Sequence, residues 1–202
     1  MQRIRFGIDI DGTITTHETM LKMINHDFNL QLKIEDIKMY DMNPYLNEEP
    51  HIISQWFKKN VSLMYSQSTL ADGAKMVMNK WTEIGDLYFI SARNDKLHDI
   101  TLEWFRKNEL QYHTIDLIGS HNKIQTIKDY HLDIFFEDKH DNAVDIYEEC
   151  QIPVILFNTP YNQGATPKGI IRVENWFEAE KWVLDWQNSK QYSKRQMGMI
   201  ID

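Results

Sequence analysis

Phe6-Gly7-Ile8-Asp9-Ile10-Asp11-Gly12-Thr13 is where this sequence first commits to an architecture. The apolar run Ile4 to Ile10 reads as a short buried strand closed by a turn containing Gly12. Asp9 and Asp11 stand two apart at its C-terminal end. A strand places residues i and i+2 on one face, so both acids face one side if the strand runs on to Asp11. Two bare carboxylates at such a spacing repel, and one tends to hold a proton. A divalent cation removes that conflict, and Mg2+ takes hard oxygen ligands while keeping several waters. Asp is disfavoured inside strands, so this acidic exit reads as chemistry rather than packing.

Outward from this stretch the strand pattern repeats. Apolar segments recur at Leu87-Tyr88-Phe89-Ile90, Thr114 to Ile118, Ile134-Phe135-Phe136 and Val154-Ile155-Leu156-Phe157, with Ile170-Ile171-Arg172-Val173 a weaker sixth. Helical periodicity fills most of the gaps, at Ala74 to Glu83 with Met76, Val77 and Trp81 inward, Leu97 to Lys107, Lys123 to Tyr130, and Ala143 to Glu149. Such alternation implies right-handed crossovers and an α/β fold, Rossmann-like, with a mostly parallel sheet flanked by helices.

One stretch breaks the rhythm. From Thr15 to Ser68 the sequence predicts helices near Glu18–Asp27, Ile34–Lys38 and His51–Tyr65, separated by Asn43-Pro44 and Asn47-Glu48-Glu49-Pro50. About fifty residues is too long for a plain connection. It reads as a small helical cap inserted after the first strand. The division expected is a core of residues 1–14 and 69–188, a cap of 15–68, and a polar tail of 189–202 that ends in Met199-Ile200-Ile201. The aromatic stripe Trp176, Phe177, Trp182 and Trp186, on a helix from Asn175 to Gln187, reads as core packing.

Three more segments bear chemistry-capable groups at predicted strand or helix ends. Phe135-Phe136-Glu137-Asp138, with Asp141 close behind, again ends a strand on acids. In an open parallel sheet ligands bind beyond the carboxyl ends of strands, so these acids can meet Asp9 and Asp11 at one metal. Ser91, in Ile90-Ser91-Ala92-Arg93, offers a hydroxyl and backbone N–H groups to an anion, and serves equally as a helix cap. Lys123 begins a helix and by itself reads as a solvated lysine.

Taken in order and spacing, Asp9-Ile10-Asp11-Gly12-Thr13, Ser91, Lys123 and Glu137-Asp138 resemble the four motifs of the haloacid dehalogenase-like (HAD) phosphatase superfamily. Ala71-Asp72-Gly73-Ala74, Ser91-Ala92-Arg93 and the helical insert are similar to its 5'(3')-deoxyribonucleotidase-like branch, although the acidic pair there is usually Asp-Asp. The resemblance implies a Mg2+-dependent phosphatase with an aspartyl-phosphate intermediate. Asp9 is then the nucleophile and Asp11 the general acid and base. Gly12, Thr13, Ser91, Ala92 and Lys123 surround the phosphate. Asp9, the Asp11 carbonyl, Asp138 and Glu137 form the metal set, with Asp141 as a further candidate. Substrate contacts are sought at Thr15, His17, Tyr40, Tyr45, Trp56 and Arg93.

Composition trims the alternatives. With 22 Lys and Arg against 30 Asp and Glu, the net charge is −8, which disfavours large nucleic acids and membrane surfaces but admits a small phosphate monoester with its cation. Cys150 is the only cysteine, so no internal disulfide framework or cysteine zinc cluster is available, and a reducing cytoplasm is expected. The eight histidines are scattered and form no metal set. No signal peptide or membrane span is expected. A signalling receiver module would carry its acid pair and phospho-acceptor on different strands, unlike this chain. A nucleoside monophosphate is the expected substrate. A sugar phosphate, or a non-catalytic phosphate-binding scaffold on the same fold, remains as an alternative, and self-association is left open.

Overall fold

The structure, a computed structural model, describes residues 3–198, with side chains described as far as residue 190. In chain order it contains β1 (Ile4–Ile8), α1 (Glu18–Asp27), α2 (Asn43–Leu46), α3 (Pro50–Ser66), α4 (Ala74–Ile84), β2 (Gly85–Ser91), α5 (His98–Lys107), β3 (Thr114–Leu117), α6 (Ile124–Asp129), β4 (Ile134–Glu137), α7 (His140–Cys150), β5 (Val154–Phe157), β6 (Ile170–Val173) and α8 (Trp176–Gly198). The six strands pair in parallel in the order β3-β2-β1-β4-β5-β6. The expected α/β architecture is therefore present.

Period-two alternation sorts the strand side chains onto two layers. Phe6, Ile8, Leu87, Phe89, Ile134, Phe136, Ile155 and Phe157 face the layer that holds Val77 and Trp81 of α4, Trp104 and Phe105 of α5, and Trp176 and Val183 of α8. Tyr88, Ile90, Phe135, Val154 and Leu156 face Ile127 of α6 and Ala143 and Ile146 of α7. Both faces of the central strands are buried, which is why they read as continuous apolar runs. Trp81 stacks on Phe6 at 4.7 Å and Trp176 packs on Phe157 at 4.7 Å.

Between β1 and β2 the helical insert holds its own apolar cluster, Leu21 and Ile24 of α1, Ile37, Met42, Leu46 of α2 and Ile53 of α3. Pro50 starts α3 at a position where its missing N–H costs nothing. The segment expected as a helix over Ile34–Lys38 is a single tight turn, Ile34–Asp36, and α2 is a short helix that the sequence reading leaves out. Met76, expected inward, is exposed, as is Phe177, whose ring lies over Gly73. The last helix runs on to Gly198, past the predicted end at Gln187, so the expected tail is helical over most of its length. Met199-Ile200-Ile201 lie outside the described residues.

Candidate functional site

The strand order reverses direction between β1 and β4, since the chain moves outward to β2 and β3 on one side and to β5 and β6 on the other. At such a switch point the loops leaving adjacent strands diverge and open a crevice. Asp9 follows β1 directly, its backbone N–H still bonded to the Phe136 carbonyl at 3.0 Å. Glu137 ends β4 and Asp138 follows it directly. The fold thus brings three acids to one point: ligand oxygens of Asp9, Glu137 and Asp138 lie within 4.8 Å of one another, all buried. Lys123, immediately before α6, is fully buried and reaches across to donate to Asp9 Oδ1 at 2.6 Å and Glu137 Oε2 at 2.7 Å. It is no solvated lysine.

Three buried carboxylates around one ammonium leave the group short of positive charge. Burial, opposed by Lys123 and reinforced by Glu137 and Asp11, pushes the Asp9 carboxyl up to about 7. Burial and the Glu137 charge raise Asp138 as well. Burial works against the Lys123 ammonium, but Asp9 and Glu137 outweigh it and raise its pKa. An oxygen-only donor set with excess negative charge fits a hard divalent cation. The oxygens are not equally available. Glu137 Oε2 is taken by Lys123, and Oε1 accepts the Lys139 N–H at 3.1 Å and, more weakly, that of Asp138. Asp9 Oδ2 and Asp138 Oδ1 accept no hydrogen bond among the described residues. Asp141 is not brought into the group; its carboxylate is exposed beside His140.

The strand does not persist to Asp11. It ends at Ile8, and residues 10–14 form a tight loop closed by the Thr15 N–H on the Ile10 carbonyl at 3.1 Å. Gly12 sits in it with φ +79°, and a Cβ there would come within 2.2 Å of Asp138 Oδ2, so the position excludes side chains twice over. Asp9 and Asp11 nevertheless line one small cavity of about 170 Å³, together with Ser91, Ala92, Arg93 and Glu137. Ser91 Oγ accepts the Arg93 N–H at 3.2 Å, a local turn bond; the helical turn that follows is capped instead by Asn94, whose Oδ1 accepts the Lys96 N–H at 3.1 Å. Thr13 is buried, and its carbonyl accepts Trp176 Nε1 at 3.1 Å, fastening the loop to α8. Thr15 Oγ1 bonds the Ile10 carbonyl and the Gly12 N–H, so it closes the loop and takes up one of the N–H groups expected near a phosphate. Arg93, expected at the substrate, lines the small cavity and grips Asp11 through two hydrogen bonds of 2.9 and 2.8 Å.

A cavity of about 850 Å³ lies between insert and core, and opens on Asp11, Gly12 and Arg93. Ile34, Ile37, Ile53, Phe57, Val61 and Met64 make its insert side largely apolar. Tyr40 stands at its rim, edge-on to His121 and Tyr161, with the Lys139 ammonium 4.4 Å from its ring centre. Tyr45 and Trp56 do not line it. Tyr45 Oη caps backbone N–H groups of Lys38 and Met39, and Trp56 bonds Asp27 inside the insert. Two residues that the sequence reading misses are Tyr65 of α3, whose ring lies under Arg93, and Tyr161, which donates to Asp138 Oδ2 and touches His17 Nε2 at 2.6 Å. A tyrosine hydroxyl has one proton, and Asp138 receives it; His17 therefore donates from Nε2 to Tyr161. Tyr161 lies beyond the C-terminal end of β5, a location at which a switch-point search would have looked.

Residues 2–190 match the family described as "5' nucleotidase, deoxy (Pyrimidine), cytosolic type C protein". The chain belongs to this nucleotidase family. The nucleotidase is 43% identical over 182 residues to the protein described as "Putative nucleotidase BH1399" of Halalkalibacterium halodurans, covering 90% of this chain and 93% of the relative. Its fold is shared with a haloacid dehalogenase-like hydrolase of Streptococcus pneumoniae, at TM-score 0.62, 11% identity, 91% of this chain and 98% of that one. YfnB of Bacillus subtilis, described as a HAD-hydrolase bound to magnesium, superposes at TM-score 0.58 and 11% identity over 89% of this chain and 97% of its own. A nucleotidase is a phosphoric monoester hydrolase, and this one is built on the fold of the haloacid dehalogenase-like hydrolases. Among the described residues no helix is long and apolar enough to cross a membrane.

Proposed function

We propose that the nucleotidase hydrolyses nucleoside monophosphates, with Mg2+, through a phosphorylated Asp9. The observation that carries the reading is the buried triangle of Asp9, Glu137 and Lys123, with a second acid, Asp11, at the wall of the same small cavity. Lys123 holds the Asp9 carboxylate in one orientation, and Glu137 holds Lys123. Asp9, Asp138 and the Asp11 carbonyl would bind Mg2+, with Glu137 serving from behind through Lys123. The cation, when bound, supplies charge that offsets both the carboxylates and the phosphoryl oxygens.

The chain's own groups then divide the work. An Asp9 oxygen forms a bond to phosphorus as the ester P–O bond breaks, and Asp11 gives its proton to the departing alkoxide. Water then attacks phosphorus and Asp11 takes back a proton. The Asp9–phosphorus bond breaks, which returns inorganic phosphate and a free carboxylate. Lys123 neutralises phosphoryl charge, and Ser91 with the Ala92 backbone frames the phosphate. The stretch 15–68 acts as a cap over a core of 1–14 and 69–188, excluding water from the cleft. The apolar cavity between cap and core, with Tyr40 at its rim, suits a nucleoside better than a bare sugar. The enzyme works in the cytoplasm on small monoesters, not on large nucleic acids or at membranes.

A phosphate-release screen over deoxyribo- and ribonucleoside monophosphates and sugar phosphates, with and without Mg2+, tests the reading. Highest kcat/KM on a nucleoside monophosphate, abolished by chelation, is the expected result. Preference for a sugar phosphate would overturn the substrate assignment, and full activity in chelator would overturn the metal.

A further inference from the structure

Arg93 is a cation that the reaction sequence above does not use. Its side chain is 0% exposed, whereas the Asp11 carboxylate that it grips is 34% exposed. Nε and Nη2 donate to the two Asp11 oxygens at 2.9 and 2.8 Å. Nη1 donates to Thr101 Oγ1 on α5 at 3.1 Å, and Thr101 is itself tied to the Leu97 carbonyl at 2.9 Å. The guanidinium carbon lies 3.9 Å from the centre of the Tyr65 ring on α3. The Arg93 carbonyl accepts the Gly119 N–H at 3.0 Å, which fixes the backbone as well. A phosphate-binding arginine needs its fork free, and this one is engaged from three sides.

We propose that Arg93 is a positioning residue for Asp11, and that Tyr65 makes this positioning depend on the inserted helix α3. The proposal rests on Asp11 being the general acid. An acid must stand within hydrogen-bond reach of the leaving oxygen, and a carboxyl on a loop can rotate away from it. A planar fork bonded to both oxygens fixes the plane of the carboxyl, which a lysine cannot do. A carboxyl group has about four lone-pair sites, so an oxygen that accepts from Arg93 can still carry the proton that goes to the alkoxide. Tyr65 closes the remaining face of the guanidinium. The core's Thr101 and the insert's Tyr65 both hold the guanidinium, and the guanidinium holds the acid.

Leaving-group dependence separates this role from simple scaffolding. The measurement is kcat/KM on a nucleoside 5'-monophosphate, whose alkoxide needs a proton, and on p-nitrophenyl phosphate, whose phenolate departs largely unaided. Asp11→Asn is the control, expected to lose roughly 10²–10⁴ on the nucleotide and far less on the aryl ester. Arg93→Gln is expected to repeat that selective loss at roughly tenfold or more, with Arg93→Lys between it and the wild type. Tyr65→Leu is expected to shift the ratio the same way by a smaller factor, and Tyr65→Phe to restore it. Equal losses on both substrates in Arg93→Gln, or a raised KM with kcat kept, would overturn the proposal while leaving Asp11 as assigned. Equal losses in Asp11→Asn would overturn the reading of Asp11 itself. Should Arg93→Gln fail to fold, the Tyr65 pair decides, and an unchanged ratio in Tyr65→Leu counts against the proposal.

Discussion

Asp9 has almost no freedom: its N–H is bonded to β4, one oxygen is bonded to Lys123, and its carboxylate lies within 4.8 Å of those of Glu137 and Asp138. The neighbouring residues are constrained in proportion. Gly12→Ala has to place a Cβ against the Asp138 carboxylate in a left-handed conformation. It is expected to cost at least about 1–2 kcal/mol for the conformation alone, read by denaturant unfolding. Tyr161 orients Asp138 from outside the acidic group. Tyr161→Phe is expected to weaken Mn2+ affinity about 10–100-fold in a direct binding titration. Unchanged affinity would mean that the hydroxyl has no hold on the ligand. Asp9 and Asp11 are legible as a pair because both sit in one short motif at a strand exit, although it is the 10–14 loop and not strand alternation that brings them to one cavity. Arg93's grip on Asp11 and the approach of Tyr161 to Asp138 are not legible, since they join segments 82 and 23 residues apart through side chains whose directions only folding decides.

Among the elements, the strands are the easiest to read. β5 falls where its apolar run begins and ends, because all four of its residues are buried, whereas the edge strand β6 is half-buried at Ile171 and Arg172, which is why its pattern is weaker. α1 likewise matches Glu18–Asp27. The short helix α2 and the single turn at Ile34–Asp36 are too brief for periodicity to register, and their placement follows from the insert's apolar cluster rather than from local propensity. Met76 shows the same limit from the other side, since an apolar residue next to an inward one is exposed by the helix's turn. α8 does more than cover the sheet, for Trp176 packs on Phe136 and Phe157 while its indole N–H holds the Thr13 carbonyl. Trp176→Phe keeps an aromatic and deletes that hydrogen bond. It is expected to lose about 0.5–1.5 kcal/mol for the bond, with further loss from the smaller ring, and to lower kcat through the loosened 10–14 loop. Equal unfolding midpoints for the two proteins would contradict this.

Across the whole molecule, the net charge of −8 acquires a location. Part of it is buried at the switch point of the sheet, where one lysine does not balance three acids. A cation bound there stabilises only the folded chain. At a concentration of 100 times its Kd, Mg2+ is expected to add about 2.7 kcal/mol. For a chain of this size that raises Tm by roughly 5–10 °C, with chelator reversing the gain. No shift would mean that the acids are not a cation site. The central claim, that phosphate passes through Asp9, has a more direct test. Enzyme quenched with borohydride during steady-state turnover of a nucleoside monophosphate converts any acyl phosphate to a reduced side chain, located by mass spectrometry of the digested protein. The expected result is homoserine in place of Asp9, absent without substrate, with no turnover in Asp9→Asn. Reduction at a different carboxylate, or turnover preserved in Asp9→Asn, would contradict it.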